Sequence, residues 1–320
     1  MRFDEDYFKP ETIEGFEVKG MMKRYWAASM EVLEEVDRLC RKYNLRYYAF
    51  YGTLLGAVRH KGWIPWDDDM DIIMYRDDFN SFIAACKRDL DPMFTLFNVE
   101  QSCLYPARLI NSHYTKIDDD FLERFHGCPY PAGIDIYVMD KVPTEELDIQ
   151  CVRHLHQVVR YLSQRTDQMF EIAYKDSKND ILYSDVVEIA QGIEEFTGEK
   201  LVIDGTLSSQ LAKLANRIAA MYNDTDSPYL ARINNWAILG DSYRWPKEWF
   251  DEVIYLPFDC ITIPCPKMYH EVLVATMGEN YMTPIKYLNS HSYPAYGKHE
   301  RELLEIFDKC GAVPPEYFFE

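Results

Sequence analysis

The chain opens its regular pattern with an apolar stripe. Met22, Trp26, Met30, Leu33, Val36 and Leu39 recur at helical spacing with charges between them, which predicts a helix over residues 20–43. Arg46 to Tyr51 is aromatic and strand-like and stops at Gly52-Thr53. Leu54 to Arg59 opens a short helix, and Gly62 and Pro65 break the loop that follows. Asp69 to Met74 reads as a strand, and Asp77-Asp78 precede a helix carrying Phe79, Phe82, Ile83 and Cys86. Shorter strands are expected near 94–99 and 104–110, and Gly133 to Val138 forms another.

Residues 144–223 turn mostly helical, with Leu207, Leu211, Leu214, Ile218 and Met221 as the best-defined stripe. Short strands return over 249–264, and a last helix is expected from Lys267 to Met277. This order predicts an α+β fold: a mixed sheet flanked by helices over residues 20–140, then a mostly helical half over 141–320 that ends in strands and a helix packed on the core.

Composition narrows the function. Among 320 residues, 53 acids against 34 bases give a net charge of −19, the wrong sign for a nucleic-acid footprint or for bulk adhesion to anionic lipid. The start is acidic and shows no secretion signal, and no apolar run is long enough to span a bilayer. Eight cysteines without C-x-x-C spacing read as free thiols in a reducing compartment, so a cytoplasmic protein is expected.

Four aspartates, Asp67, Asp68, Asp69 and Asp71, crowd five positions between Trp63-Ile64-Pro65-Trp66 and Ile72-Ile73-Met74. A solvated acidic turn needs no such apolar flanks. On a strand, Asp67, Asp69 and Asp71 share one face. Carboxylates so placed repel one another, and a dication bound by oxygen ligands relieves this. A calcium loop is the rival metal reading, but it would need Gly and Glu where Ile72 and Asp78 stand, which argues against it. Gly52-Thr53, one short helix earlier, offers close backbone approach, a hydroxyl and helix-start amides for phosphate.

Gly52 through Ile72 (Gly-Thr-Leu-Leu-Gly-Ala-Val-Arg-His-Lys-Gly-Trp-Ile-Pro-Trp-Asp-Asp-Asp-Met-Asp-Ile) closely resembles the signature of the LicD family, which transfers phosphocholine and related groups to glycans and has fukutin-related protein as a relative. The resemblance implies a nucleotidyltransferase-like core with a Gly-Thr turn at Gly52-Thr53, a metal pair at Asp69 and Asp71, Asp67 completing the set, and a third carboxylate best matched by Asp135. It implies Mg²⁺ or Mn²⁺, a CDP-linked alcohol donor (CDP-choline first), a glycan or lipid-linked glycan acceptor reached in transient proximity to a membrane, and CMP as the leaving group. Either Asp135 or Asp67 would take the hydroxyl proton. Transfer of the nucleoside monophosphate itself, or metal and nucleotide binding without catalysis, are the alternatives.

Arg59 and Lys61 are candidates to neutralise the donor diphosphate. Residues 263–284 and His291 resemble the family's tail and mark the extent of the fold more than its chemistry. Cys151, His154 and His156 lack a fourth ligand nearby and read as ordinary core or surface residues rather than a zinc site. Trp63, Trp66, Trp236, Trp245 and Trp249 are candidates for an ammonium cage, although core packing explains most of them.

Overall fold

The structure is a computed structural model that describes residues 1–99, 106–170, 183–286 and 293–319, without the side chains of 167–170 and 183. His291 lies outside the described residues. Two compact units emerge: one comprises Met1–Leu96, Arg108–Tyr137 and Trp249–Glu320, the other Phe97–Ala107 and Val138–Glu248.

In the first unit a hairpin of β1 (Glu11–Ile13) and β2 (Phe16–Val18) leads into α1 (Gly20–Tyr43). The α1 stripe is buried as its spacing predicts: Met22, Trp26, Met30, Leu33, Val36 and Leu39 are each no more than 3% exposed. Each such side chain contributes roughly 1.5–3 kcal/mol of burial free energy. The helix ends on Asn44, whose left-handed φ of 53° suits an asparagine C-cap. Next come β3 (Tyr48–Ala49), α2 (Tyr51–Arg59), β4 (Asp71–Tyr75), α3 (Arg76–Asp89), β5 (Thr95–Phe97), β6 (Ala107–Ile110), α4 (Asp119–Arg124) and β7 (Gly133–Lys141). The sheet is mixed, flanked by helices, and runs β3-β4-β7-β6-β5, so β7 lies between the acidic strand and β6.

Residues 138–141 of β7 belong to the second unit, where Asp140 and Lys141 pair with Ala231 and Leu230. This unit is mainly helical: α5 (Glu146–Phe170), α6 (Tyr183–Thr197), α7 (Leu207–Ala220), then β8 (Tyr229–Ala231), α8 (Ile233–Leu239) and β9 (Arg244–Pro246). Leu207, Leu211, Leu214 and Ile218 are buried as a stripe, but Met221 falls just past the helix end and is 60% exposed. His156 is buried, and desolvation lowers its pKa to about 3, which keeps it neutral. Trp236 and Trp245 are fully buried core residues.

The chain then returns to the first unit with β10 (Val253–Phe258), β11 (Ile261–Pro266), α9 (Tyr269–Met277) and α10 (Glu300–Cys310). The sequence pattern groups 249–320 with the helical half. The contacts place its strands and helix with residues 1–96, in part through the Tyr48 hydroxyl, which donates to the Phe250 carbonyl.

Candidate active site

Two features differ from the pattern-based reading, and both shape the site. Strand β4 begins at Asp71, so Asp67, Asp68 and Asp69 lie in the loop before it and strand alternation does not align them. Their backbone is taken up elsewhere. Asp67 N–H donates to the Ile64 carbonyl (2.9 Å), and the Trp26 indole donates to the Asp67 carbonyl (2.9 Å). Trp26 stacks on Trp63 with ring centroids 5.3 Å apart. Folded this way, Asp67, Asp68 and Asp69 each bring one carboxylate oxygen within 4.8 Å of the others.

The second difference is that α2 starts at Tyr51, which puts Gly52 and Thr53 inside its first turn. Phe50 N–H donates to the Asp71 carbonyl (3.0 Å), and Asp71 N–H donates to Thr53 Oγ1 (2.8 Å). The start of the helix and the first residue of the acidic strand are therefore clipped together at both backbone groups of Asp71. Tyr51 adopts φ +40°, a conformation that costs a non-glycine residue on the order of 1–3 kcal/mol. Gly52 packs so closely on the acidic loop that any Cβ there would meet Asp67 Oδ2 at 2.2 Å.

Above this floor lies a cavity of about 390 Å³, lined by Gly52, Asp67, Asp69 and Asp71, by Tyr51, Leu55, Arg59, Ile64, Trp66 and Tyr137, and by Met277, Asn280, Tyr281, Thr283 and Ile285. Asp68 is buried but does not line it. Burial first, and then the negative charge of Asp69, push the Asp67 carboxyl well above the usual carboxylate range. Three carboxylates converging on one cavity are the hard oxygen donors that Mg²⁺ or Mn²⁺ prefers, so the residues present fit such an ion.

Asp135 sits on β7 beside this segment, its N–H donating to the Met70 carbonyl (2.9 Å). Its carboxylate oxygen lies 3.1 Å from Arg108 Nε of β6, and it is not among the cavity-lining residues. Tyr137, two residues on along the same strand, is. Asp140 belongs to the second unit and accepts from Asn223 Nδ2 (2.7 Å). Arg59 lines the cavity, but its Nη1 donates to the main-chain carbonyl of Tyr281 (2.7 Å). Lys61 is exposed and off the cavity. Of the tryptophans considered for a cage, Trp66 alone lines this cavity, joined there by Tyr51, Tyr137 and Tyr281.

The pattern-based reading missed Tyr51, Tyr137, Trp26 and the 277–285 wall. Tyr137 was findable, because it shares the strand face of Asp135. The others depend on contacts between distant parts of the chain.

Residues 44–131 match the LicD/FKTN/FKRP nucleotidyltransferase domain. The chain is 25% identical over 267 residues, covering 80% of its own length and 89% of the other's, to the lipopolysaccharide cholinephosphotransferase LicD of Haemophilus influenzae. Over 51 residues it is 47% identical to an uncharacterised protein of Rickettsia prowazekii (16% of this chain, 19% of that one) and to one of Rickettsia typhi (16% of each). Residues 44–131 thus match the nucleotidyltransferase domain shared by LicD, FKTN and FKRP, and the chain as a whole is similar to a LicD cholinephosphotransferase.

Proposed function

We propose that this protein is a divalent-metal-dependent phosphotransferase that moves a phospho-alcohol, phosphocholine in the first instance, from a CDP-linked donor to a hydroxyl of a cell-surface glycan; the Haemophilus relative is named for cholinephosphate transfer to lipopolysaccharide. The observation that carries the reading is the convergence of Asp67, Asp69 and Asp71 on one cavity that also presents an arginine and four aromatic rings.

In this reading Asp69 and Asp71, with Asp67 or Asp135, hold Mg²⁺ or Mn²⁺. When bound, the ion offsets the charge of the donor diphosphate and of the leaving phosphate. The Gly52 backbone admits the phosphates close to the acidic loop, and the helix-start amides of α2 face negative charge favourably. Tyr51, Trp66, Tyr137 and Tyr281 supply π faces of the kind that hold a quaternary ammonium by cation–π attraction, worth roughly 0.5–2 kcal/mol each. The acceptor hydroxyl attacks the phosphorus that carries the alcohol, the bond from that phosphorus to the CMP oxygen breaks, and CMP leaves. Asp67 or Asp135 accepts the hydroxyl proton. Positioning and charge supply most of the rate, as in other phosphoryl transfers.

No described helix is long and apolar enough to cross a membrane. We place the reaction in the cytoplasm, a reading supported by seven free cysteines, four of them buried, among the described residues. The rival reaction, transfer of the nucleotide itself, would leave a nucleotide on the acceptor. Incubation with a panel of CDP-alcohols, Mg²⁺ and candidate glycans, followed by mass spectrometry, separates the two: a mass gain of phosphocholine supports transfer of the alcohol, and a gain of CMP supports the rival.

A further inference from the structure

One wall of the cavity comes from residues 277–285, far along the chain from the acidic floor, and something must hold it there. Gly278, at φ +87°, ends α9, and the chain then makes two tight turns, with Tyr281 N–H donating to the Gly278 carbonyl and Thr283 N–H to the Asn280 carbonyl. Turns of this kind are weak by themselves and need tertiary support. Two groups supply it. Arg59 Nη1 donates to the Tyr281 carbonyl at 2.7 Å and lies 3.5 Å from the Thr283 carbonyl. The Tyr281 hydroxyl and His270 Nδ1 of α9 are 2.9 Å apart. Tyr281 is thus held at both ends and is only 8% exposed, while its neighbour Met282 is 52% exposed.

We propose that Arg59 is a positioning residue: it sets the 277–285 wall of the cavity through the carbonyls of Tyr281 and Thr283, with His270 fixing the Tyr281 ring, so that this wall determines which alcohol the donor carries. The proposal rests on the donor-site reading above and departs from it in one respect. Arg59 acts through the wall and not as a clamp on the diphosphate. Both Nη1 N–H groups point at main-chain carbonyls and Nε donates to His60 Nδ1 (3.3 Å), so three of the five guanidinium N–H groups are spent on the protein and only Nη2 remains. The wall is lined by Tyr281, Asn280 and Thr283 with the apolar Met277 and Ile285, and it carries no cationic side chain, a mixture suited to telling small alcohols apart rather than to binding phosphate.

The test measures hydrogen exchange at the amides of 277–285 in the ligand-free protein, comparing native, Arg59→Gln, the milder Arg59→Lys and His270→Gln. Thermal shifts with Mg²⁺ alone, and with Mg²⁺ plus CDP-choline, CDP-ethanolamine or CDP-glycerol, follow. Losing a hydrogen bond from a charged donor should speed exchange in the wall about tenfold or more in Arg59→Gln. The Mg²⁺ shift should persist in every variant, and the ranking of the three donors should change in Arg59→Gln and His270→Gln. Unchanged exchange at 277–285, or equal weakening of all three donors with their ranking intact, overturns the proposal. If the native protein responds to no CDP-alcohol, the donor reading fails. The wall's dependence on Arg59 is still decided by the exchange data, and selectivity for an alcohol is then overturned with the donor reading.

Discussion

Gly52 and Asp67 are in such close contact that the smallest side chain would collide: a Cβ on Gly52 would lie 2.2 Å from Asp67 Oδ2 and 3.3 Å from its Cγ. The glycine therefore fixes how near the helix start can come to the acidic loop. Gly52→Ala should push the Asp67 carboxylate out of place and lower turnover about a hundredfold, the effect of displacing a reacting group by an ångström or so. Circular dichroism should remain that of the native protein. Near-native turnover in Gly52→Ala would remove the close approach from the account.

Thr53 matters through its oxygen. Its hydroxyl accepts the Asp71 N–H at 2.8 Å in a buried setting. Thr53→Val keeps the shape and leaves that N–H without its acceptor, which costs about 1–3 kcal/mol. Thr53→Ser should keep the bond and lose only the methyl contribution, about 1 kcal/mol. Urea unfolding of the three proteins checks the order native, Ser, Val. Equal stability of Val and native would show that the clip between α2 and β4 contributes nothing.

Asp69→Asn and Asp71→Asn should each abolish turnover and remove the Mg²⁺-dependent rise in melting temperature, because a ligand that binds only the folded site stabilises it by mass action. Asp135→Asn should be milder on the metal response, since its carboxylate already faces Arg108 at 3.1 Å. Melting curves with EDTA, Mg²⁺ and Mn²⁺ read all three. Coincident curves for the native protein in EDTA and Mg²⁺ would contradict the metal assignment.

Acid should find a weak point away from the cavity, at Glu31. Burial alone would raise its carboxyl, but hydrogen bonds from His126 (2.8 Å) and the Met1 amine (2.5 Å) and the charge of Arg124 outweigh it and lower the pKa to about 2. A carboxylate whose folded pKa lies below its ordinary 4.5 stabilises the fold fully above that value and loses the contribution as pH falls from about 4.5 toward 2. Glu31→Gln should therefore melt lower than native at pH 7, and the gap should shrink between pH 4.5 and 3. A gap independent of pH would assign the loss to packing instead of charge.

The sequence made some parts of this site plain and hid others, for reasons visible in single residues. Helix α1 is legible because a buried stripe repeats at a fixed spacing that no tertiary contact has to enforce. The acidic segment is legible in composition but not in shape. The carbonyl of Asp67 is taken by the Trp26 indole, 41 residues earlier, and so the loop never joins the strand that its alternation suggests. The same holds for α2, whose first turn forms around Thr53 because Asp71 needs an acceptor there. The wall at 277–285 was least legible of all. Arg59 reaches Tyr281 across 222 positions, and neither residue carries a local signal of the other.

The most direct measurement follows the mass of the acceptor. Purified protein, Mg²⁺ and CDP-choline are incubated with a glycan acceptor, and acceptor and nucleotide are both weighed by mass spectrometry, with Asp69→Asn alongside. The acceptor should gain the mass of one phosphocholine group, with an equal amount of CMP set free, and neither should appear with Asp69→Asn or EDTA. An acceptor heavier by a CMP group, or phosphocholine transfer that survives in Asp69→Asn, would contradict the proposed reaction.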